Sequence, residues 1–363
     1  MFLSSKSIRT RAAQQFGVLG VLMVKKKPRR GWHELPFSQV VQLITTLRRA
    51  TAENCSIDTI RDRLVPLCQG FPTVGRWLDG RTKIFRGVRW NERPLNVGQL
   101  SYPPSAIVKT LGRLNRVGES RFYASTCRES ALYELHGVPG DQMAISRWGL
   151  VHPVLVNTIG YHSKVRRNFR SSAVPQPWEL SPDNYRRPAH RLIAEFFAEE
   201  FSRAVPTGSE DLYTMTVAIT ERFLGFSSSH RPVINPAAWM TTDGPIQFGG
   251  ILYPTLAMRA NGDNIMLLPE IVDTCLALRS VDYVEILNVD DLQFTIRTID
   301  HATHFGSNGE IGWTGRPPIP LPQNGLMLLV VDPMSGRLTR VDSDEAVETV
   351  SAEPSYSFYN MFR

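Results

Sequence analysis

The feature that most limits the folds open to this chain is the place where its apolar period changes. The early stretch FSQVVQLITTLRRAT repeats at helical spacing, with Val40, Val41, Ile44 and Leu47 on one stripe, and SIDTIRDRLVPLC does the same with Ile57, Ile60, Leu64 and Leu67. From Lys83 to Trp90 the period becomes that of a strand. Pro94, Pro103 and Pro104 forbid a long helix between residues 91 and 112. SRFYA at 120 to 124 reads as a short strand, with Phe122 on one face and Arg121 and Tyr123 on the other. Thr126 and Glu129 are spaced as a capping box for a helix whose buried stripe is Ala131, Leu132 and Leu135. Glu134 then falls at the flank of that stripe, half-sheltered beside Ala131.

Strands are expected within residues 141 to 157, 246 to 256 and 264 to 268, and several β segments from 281 to 341. Helices are expected at about 185 to 204, with Leu192, Ile193, Phe196, Phe197 and Phe201 as core, and at 209 to 224. A helical start followed by strands, helices and strands again predicts an α+β fold with a mixed β core, not a doubly wound sheet.

A chain of 363 residues can bury a full core, and it divides into a flexible basic lead (1–31), a small helical N-terminal region (32–80) and a main domain (81–363). The helical region carries no residues that suggest chemistry and reads as a packing or dimerisation appendage, so self-association stays open. FGVLGVLMV at 16 to 24 has the look of a signal-peptide core, but KKKPRR follows at once, with no small-residue cleavage site, and the run is too short to span a bilayer. Export is the weaker reading. Four scattered cysteines without metal-ligand spacing point to reduced thiols in a cytoplasmic setting. The net charge of +7 suits an anionic small molecule or an acidic partner as well as nucleic acid.

The chain has no GxxxxGK[ST] loop, no GxGxxG after a strand, no GxSxG elbow and no HExxH. His301 and His304 stand near Asp300 but lack a third spaced ligand, so no metal is expected and they read as polar residues at a strand end. Arg166-Arg167 and Arg186-Arg187, in the basic connection from 163 to 190, read as solvated surface. Arg86 is different: it sits in a strand among apolar neighbours, where its side chain faces either solvent or an anion in a cleft. Arg113 lies in GRLNR, flanked by Gly112 and Gly118, and a guanidinium fork suits a pyrophosphate through two parallel hydrogen bonds. Tyr123 can stack on a planar ring while its hydroxyl finds a polar partner. Each has a plain alternative: surface arginine, core tyrosine, solvated helix glutamate.

The order of these pieces resembles the RES domain family, bacterial toxins related to ADP-ribosyltransferases. The similarity runs over about residues 83 to 275, in FRGVR, GRLNRVGESRFYAS, ALYEL and GGILYPTLAMRANGDNIMLL. The resemblance implies an ADP-ribosyltransferase-like domain over 81–363 that consumes NAD as substrate, without a metal. It makes Glu134 the catalytic glutamate, Arg86 and Arg113 the NAD-contacting arginines and Tyr123 the active-site tyrosine. The family's late serine falls on Thr255, which keeps the hydroxyl and adds a methyl. Water, phosphate or a protein side chain are all open as acceptor, and a protein antitoxin is implied as partner. The rival reading is a non-catalytic basic module binding nucleic acid or protein; it is disfavoured by a lone carboxylate among the arginines and a modest charge.

Overall fold

The structure is a computed structural model and describes residues 21–23, 35–71, 73–161, 187–206, 208–226, 247–255, 262–290, 293–317, 329–331, 338–340 and 347–351. The chain opens with a short strand, β1 (Val21–Met23), inside the stretch expected as a flexible lead. Helix α1 (Phe37–Ala52) follows and buries Val40, Ile44 and Leu47, while Val41, expected on the same stripe, stays exposed. Ser56 caps α2 (Ile57–Arg63) by accepting from the Thr59 amide, and the turn α3 (Val65–Cys68) buries Leu67.

Strands β2 (Val74–Leu78), β3 (Lys83–Arg89) and β4 (Phe122–Ser125) lead into α4 (Arg128–Glu134). Then come β5 (Gln142–Leu150), β6 (Val154–Thr158), α5 (Pro188–Phe201) and α6 (Thr214–Leu224). Strands β7 (Gly250–Pro254) and β8 (Asp263–Leu267) precede α7 (Pro269–Cys275), a helix the sequence reading did not assign although Pro269 marks its first turn. The long hairpin β9 (Leu276–Asp290) and β10 (Gln293–Ala302) comes next. The remaining strands are β11 (His304–Phe305), β12 (Ile311–Gly312), β13 (Leu329–Val331), β14 (Leu338–Arg340) and β15 (Val347–Ser351).

Eleven strands form one sheet in the order β1-β2-β6-β7-β8-β4-β3-β5-β9-β10-β15. Among its described pairings only β6 with β7 is parallel, so the fold is α+β with a large mixed sheet. The sheet narrows at its middle, where β3 and β4 share one paired position, Phe85 with Ser125. Two rows of side chains share a face on one half. Asn157, Ile251, Met266 and Tyr123 align across β6, β7, β8 and β4, and Tyr253, Asn264 and Ser125 form the row beside them. The C-terminal end of α5 lies toward this face, with the Phe201 and Tyr253 ring centroids 6.1 Å apart.

The helical region does not stand apart from the sheet. Val40, Ile44, Leu47, Ile60, Leu64 and Leu67 belong to the same apolar core as Leu78, Ile84, Phe122 and Met266. Arg61 and Arg116, both paired to Asp58 and Glu221, tie α2 to α6 and to the GRLNR loop. A second apolar cluster lies under α4, where Leu132 and Tyr133 meet Met143, Val284, Ile286 and Phe294. A Cβ on Gly87 would stand 2.9 Å from the Ala131 carbonyl, so only glycine in β3 lets α4 lie this close. Helix α4 also begins later than the sequence suggests, with Cys127 as N-cap and no side-chain cap. The expected Thr126/Glu129 capping box does not form, because the Thr126 amide donates to the Asp263 carbonyl (2.9 Å) and prolongs the pairing of β4 with β8.

Candidate functional site

Glu134 is the last residue of α4, and its side chain is drawn to the facing edge of the sheet. Asn264, at the start of β8, donates from Nδ2 to Oε1 of Glu134 at 2.7 Å. Thr255, just past β7, donates its hydroxyl to the same oxygen. Asn264 is oriented from the other side by Ser125, whose hydroxyl donates to Oδ1 at 2.8 Å. Thr255 is fully buried, and its amide donates to the Gly262 carbonyl at 3.0 Å. Both donors reach the carboxylate from one side, and Oε2 has no partner among the described residues. The glutamate is exposed, where the sequence placed it half-sheltered, because it stands at the helix end with only one oxygen turned inward.

Tyr123 lies on the same face. Its hydroxyl donates to Asn115 Oδ1 (2.7 Å) and accepts from the Leu114 amide (2.9 Å). Burial pushes its phenol well above the ordinary tyrosine range, against the Leu114 hydrogen bond and the charges of Arg121 and Arg113. The GRLNR loop is thus fastened to β4 through the tyrosine. A Cβ on Gly112 would come within 2.1 Å of Asn115 Oδ1, so the glycine makes room for the amide that accepts the phenol.

Arg113 stands at the C-terminal end of α5. Its Nη1 donates to the carbonyls of Phe201 (2.8 Å) and Arg203 (3.3 Å), which have no helical partner there. The guanidinium lies 5.2 Å from the centroid of the Tyr213 ring. Its Nε and Nη2 carry no bond among the described residues. Tyr253 is buried on the same face, its ring beside that of Phe201. Burial raises its phenol far above the ordinary range, Tyr123 and the carboxylate of Glu134 push the same way, and the Arg113 cation opposes them. Arg113 and Glu134 therefore act on one buried tyrosine.

Arg86 occupies the gap between β3 and β4 instead. It donates from Nη1 to the Tyr123 carbonyl (2.6 Å) and from Nε to the Ser101 carbonyl (3.1 Å). Its guanidinium lies 5.3 Å from the centroid of the Phe122 ring, and Phe122 points to the face opposite Tyr123. Desolvation lowers its pKa to about 10, an arginine held by the main chain rather than by a carboxylate. It meets Tyr123 through the backbone and lies on the other side of the sheet from Glu134.

Asn264, Tyr253, Asn115 and Tyr213 were not singled out from the sequence. The visible signal was the polar run Asn261 to Asn264 before the apolar strand IMLL, which marks the segment but not the residue. His301 and Asp300 sit in a strand-end network: His301 Nδ1 is 2.6 Å from Asp282 Oδ1, and Asp300 accepts from the His301 and Gly315 amides. Among the described residues no group of three potential metal ligands exists, and no helix is long and apolar enough to cross a membrane. The pairs Arg166-Arg167 and Arg186-Arg187 fall wholly or in part outside the described residues. Comparison with family models, characterised proteins and solved structures finds no match to this chain.

Proposed function

We propose that the chain cleaves the bond between nicotinamide and ribose in NAD, with Glu134 as its catalytic carboxylate. The observation that carries this reading is the fixed Glu134 carboxylate, with Oε1 held by Thr255 and Asn264 and Oε2 left unclaimed. The nicotinamide nitrogen of NAD is quaternary, so the ring departs neutral and needs no proton. What the reaction requires is stabilisation of an oxocarbenium-like ribosyl cation, and one aimed carboxylate supplies it. Arg113 offers Nε and Nη2 to the pyrophosphate while its Nη1 stays on the α5 carbonyls. The Tyr123 ring supports the nicotinamide. Arg86 acts at one remove, as the positioning residue that holds the Tyr123 and Ser101 carbonyls. The resemblance to the RES toxins supports the same assignment, and with it a cytoplasmic, growth-arresting enzyme restrained by a protein antitoxin.

The test is direct. Purified protein incubated with NAD releases nicotinamide, and Glu134→Gln lowers the rate by about a hundredfold or more while far-UV circular dichroism stays unchanged. Equal NAD depletion by variant and wild type removes Glu134 from the chemistry. Product masses with and without phosphate and lysate identify the acceptor. ADP-ribose means water, a ribosyl phosphate means phosphorolysis, and labelled protein means transfer. Nucleic-acid binding with a steep salt dependence and no NAD consumed would favour the non-catalytic rival. Against that rival, Arg61 and Arg116 are engaged with carboxylates.

A further inference from the structure

Hydrogen bonds hold Arg113 at one corner of its guanidinium only. Nη1 stays on the Phe201 and Arg203 carbonyls, and a planar group fixed through one nitrogen can still turn about it. What sets its plane comes from a stretch far along the chain. The short 3-10 turn Glu210–Tyr213 ends on a tyrosine that directly precedes α6. The guanidinium carbon of Arg113 stands over that ring, 5.2 Å from its centroid. A cation is attracted to an aromatic face, and a planar guanidinium can also stack on it.

The main chain keeps the two residues together. Thr216, 2% exposed, donates its hydroxyl to the Arg113 carbonyl at 2.6 Å, and the Tyr213 carbonyl lies 3.0 Å from the same oxygen. Glu221 of α6 pairs with Arg61 and Arg116, so the helix behind Tyr213 is anchored on α2 and on the GRLNR loop. Packing does not explain the tyrosine. It belongs to neither apolar cluster, it is only half-buried, and its hydroxyl makes no hydrogen bond among the described residues. It does lie within electrostatic reach of Tyr123 and Tyr253, whose phenols burial raises and Tyr213 pushes the same way.

We propose that Tyr213 is a positioning residue, whose ring sets the plane of the Arg113 guanidinium so that Nε and Nη2 meet a pyrophosphate as a fork. This rests on the reading that Arg113 receives the pyrophosphate of NAD. Two parallel hydrogen bonds need both donors in line with the phosphate oxygens, so a turned guanidinium keeps its charge and loses the fork. The tyrosine hydroxyl takes no part, and phenylalanine can replace it.

The experiment titrates ADP, which carries the pyrophosphate without the nicotinamide, into the full-length protein in a calorimeter. Tyr213→Leu weakens ADP binding about three- to tenfold, and Tyr213→Phe stays within about twofold of the wild type. In an Arg113→Ala background, Tyr213→Leu has no further effect, which separates a ring acting through the arginine from one that only packs. The KM for NAD rises with the ADP dissociation constant, while the turnover number changes less. Tyr213→Gln, which removes the ring and keeps a long side chain, serves should the leucine variant fail to fold. The assignment is overturned if the wild type binds no ADP, or if folded protein without the ring binds it as tightly as the wild type. It is equally overturned if the loss is the same in the Arg113→Ala background. ADP binding that depends on Tyr213 in a protein that leaves NAD intact removes the proposed reaction and keeps this role, so the two fail separately.

Discussion

Two donors on one oxygen make the Glu134 carboxylate sensitive to small changes at Thr255. Thr255→Val is nearly isosteric but removes the hydroxyl, and the buried fit of the remaining methyl groups should preserve the fold. The carboxylate then rests on Asn264 alone and its rotamers widen. We expect the turnover number for NAD to fall about tenfold or more with a smaller change in KM, because orientation is lost and not substrate contact. Thr255→Ser keeps the donor and should hold most of the activity. Equal rates in the valine and wild-type proteins would show that the hydroxyl does not orient the glutamate. Arginine identity by itself could not separate Arg86 from Arg113, since each stands beside a glycine. The pairing of β3 with β4 puts Arg86 over Phe122, whereas the Phe201 carbonyl holds Arg113 on the side of Tyr253.

At the scale of elements, α2 is bound to α6 and the GRLNR loop by charge. Asp58 accepts two hydrogen bonds from Arg116, at 2.8 and 3.0 Å, and pairs with Arg61. The Arg116 hydrogen bond is the main cause that holds the Asp58 carboxyl below its ordinary range, with the two positive charges assisting. A carboxyl whose pKa is lower in the folded state contributes stability above its unfolded value of about 3.9, and that contribution is lost as pH falls through the folded value. The urea midpoint of the wild type should therefore drop more steeply below about pH 4 than that of Asp58→Asn. Parallel curves for the two proteins would remove this link from acid stability. The helical period of SIDTIRDRLVPLC was readable, as were its buried Ile60, Leu64 and Leu67. Its charged partners were not, because Glu221 lies 160 residues from Arg61.

For the molecule as a whole, the shared core argues that helical region and sheet unfold together. Leu47 is fully buried in that core, so Leu47→Ala should cost about 2–5 kcal/mol through lost contacts and a residual cavity. Tryptophan fluorescence, summed over the chain's seven tryptophans, and far-UV circular dichroism should follow one coincident transition, displaced as a unit by the substitution. Two separate transitions would mean that residues 32–80 fold as an independent appendage. The amino-acid sequence by itself determined which stretches are helix or strand at the long, strongly periodic segments, and which residue types stand ready for anion and cation chemistry. Those follow from side-chain spacing along a few turns. The tertiary structure decided which of them meet. Glu134 finds Thr255 121 residues away and Asn264 130 away, because β4 pairs with β8 and α4 folds back over Gly87. Such partners depend on strand order and on which face each residue presents, and local periodicity carries neither.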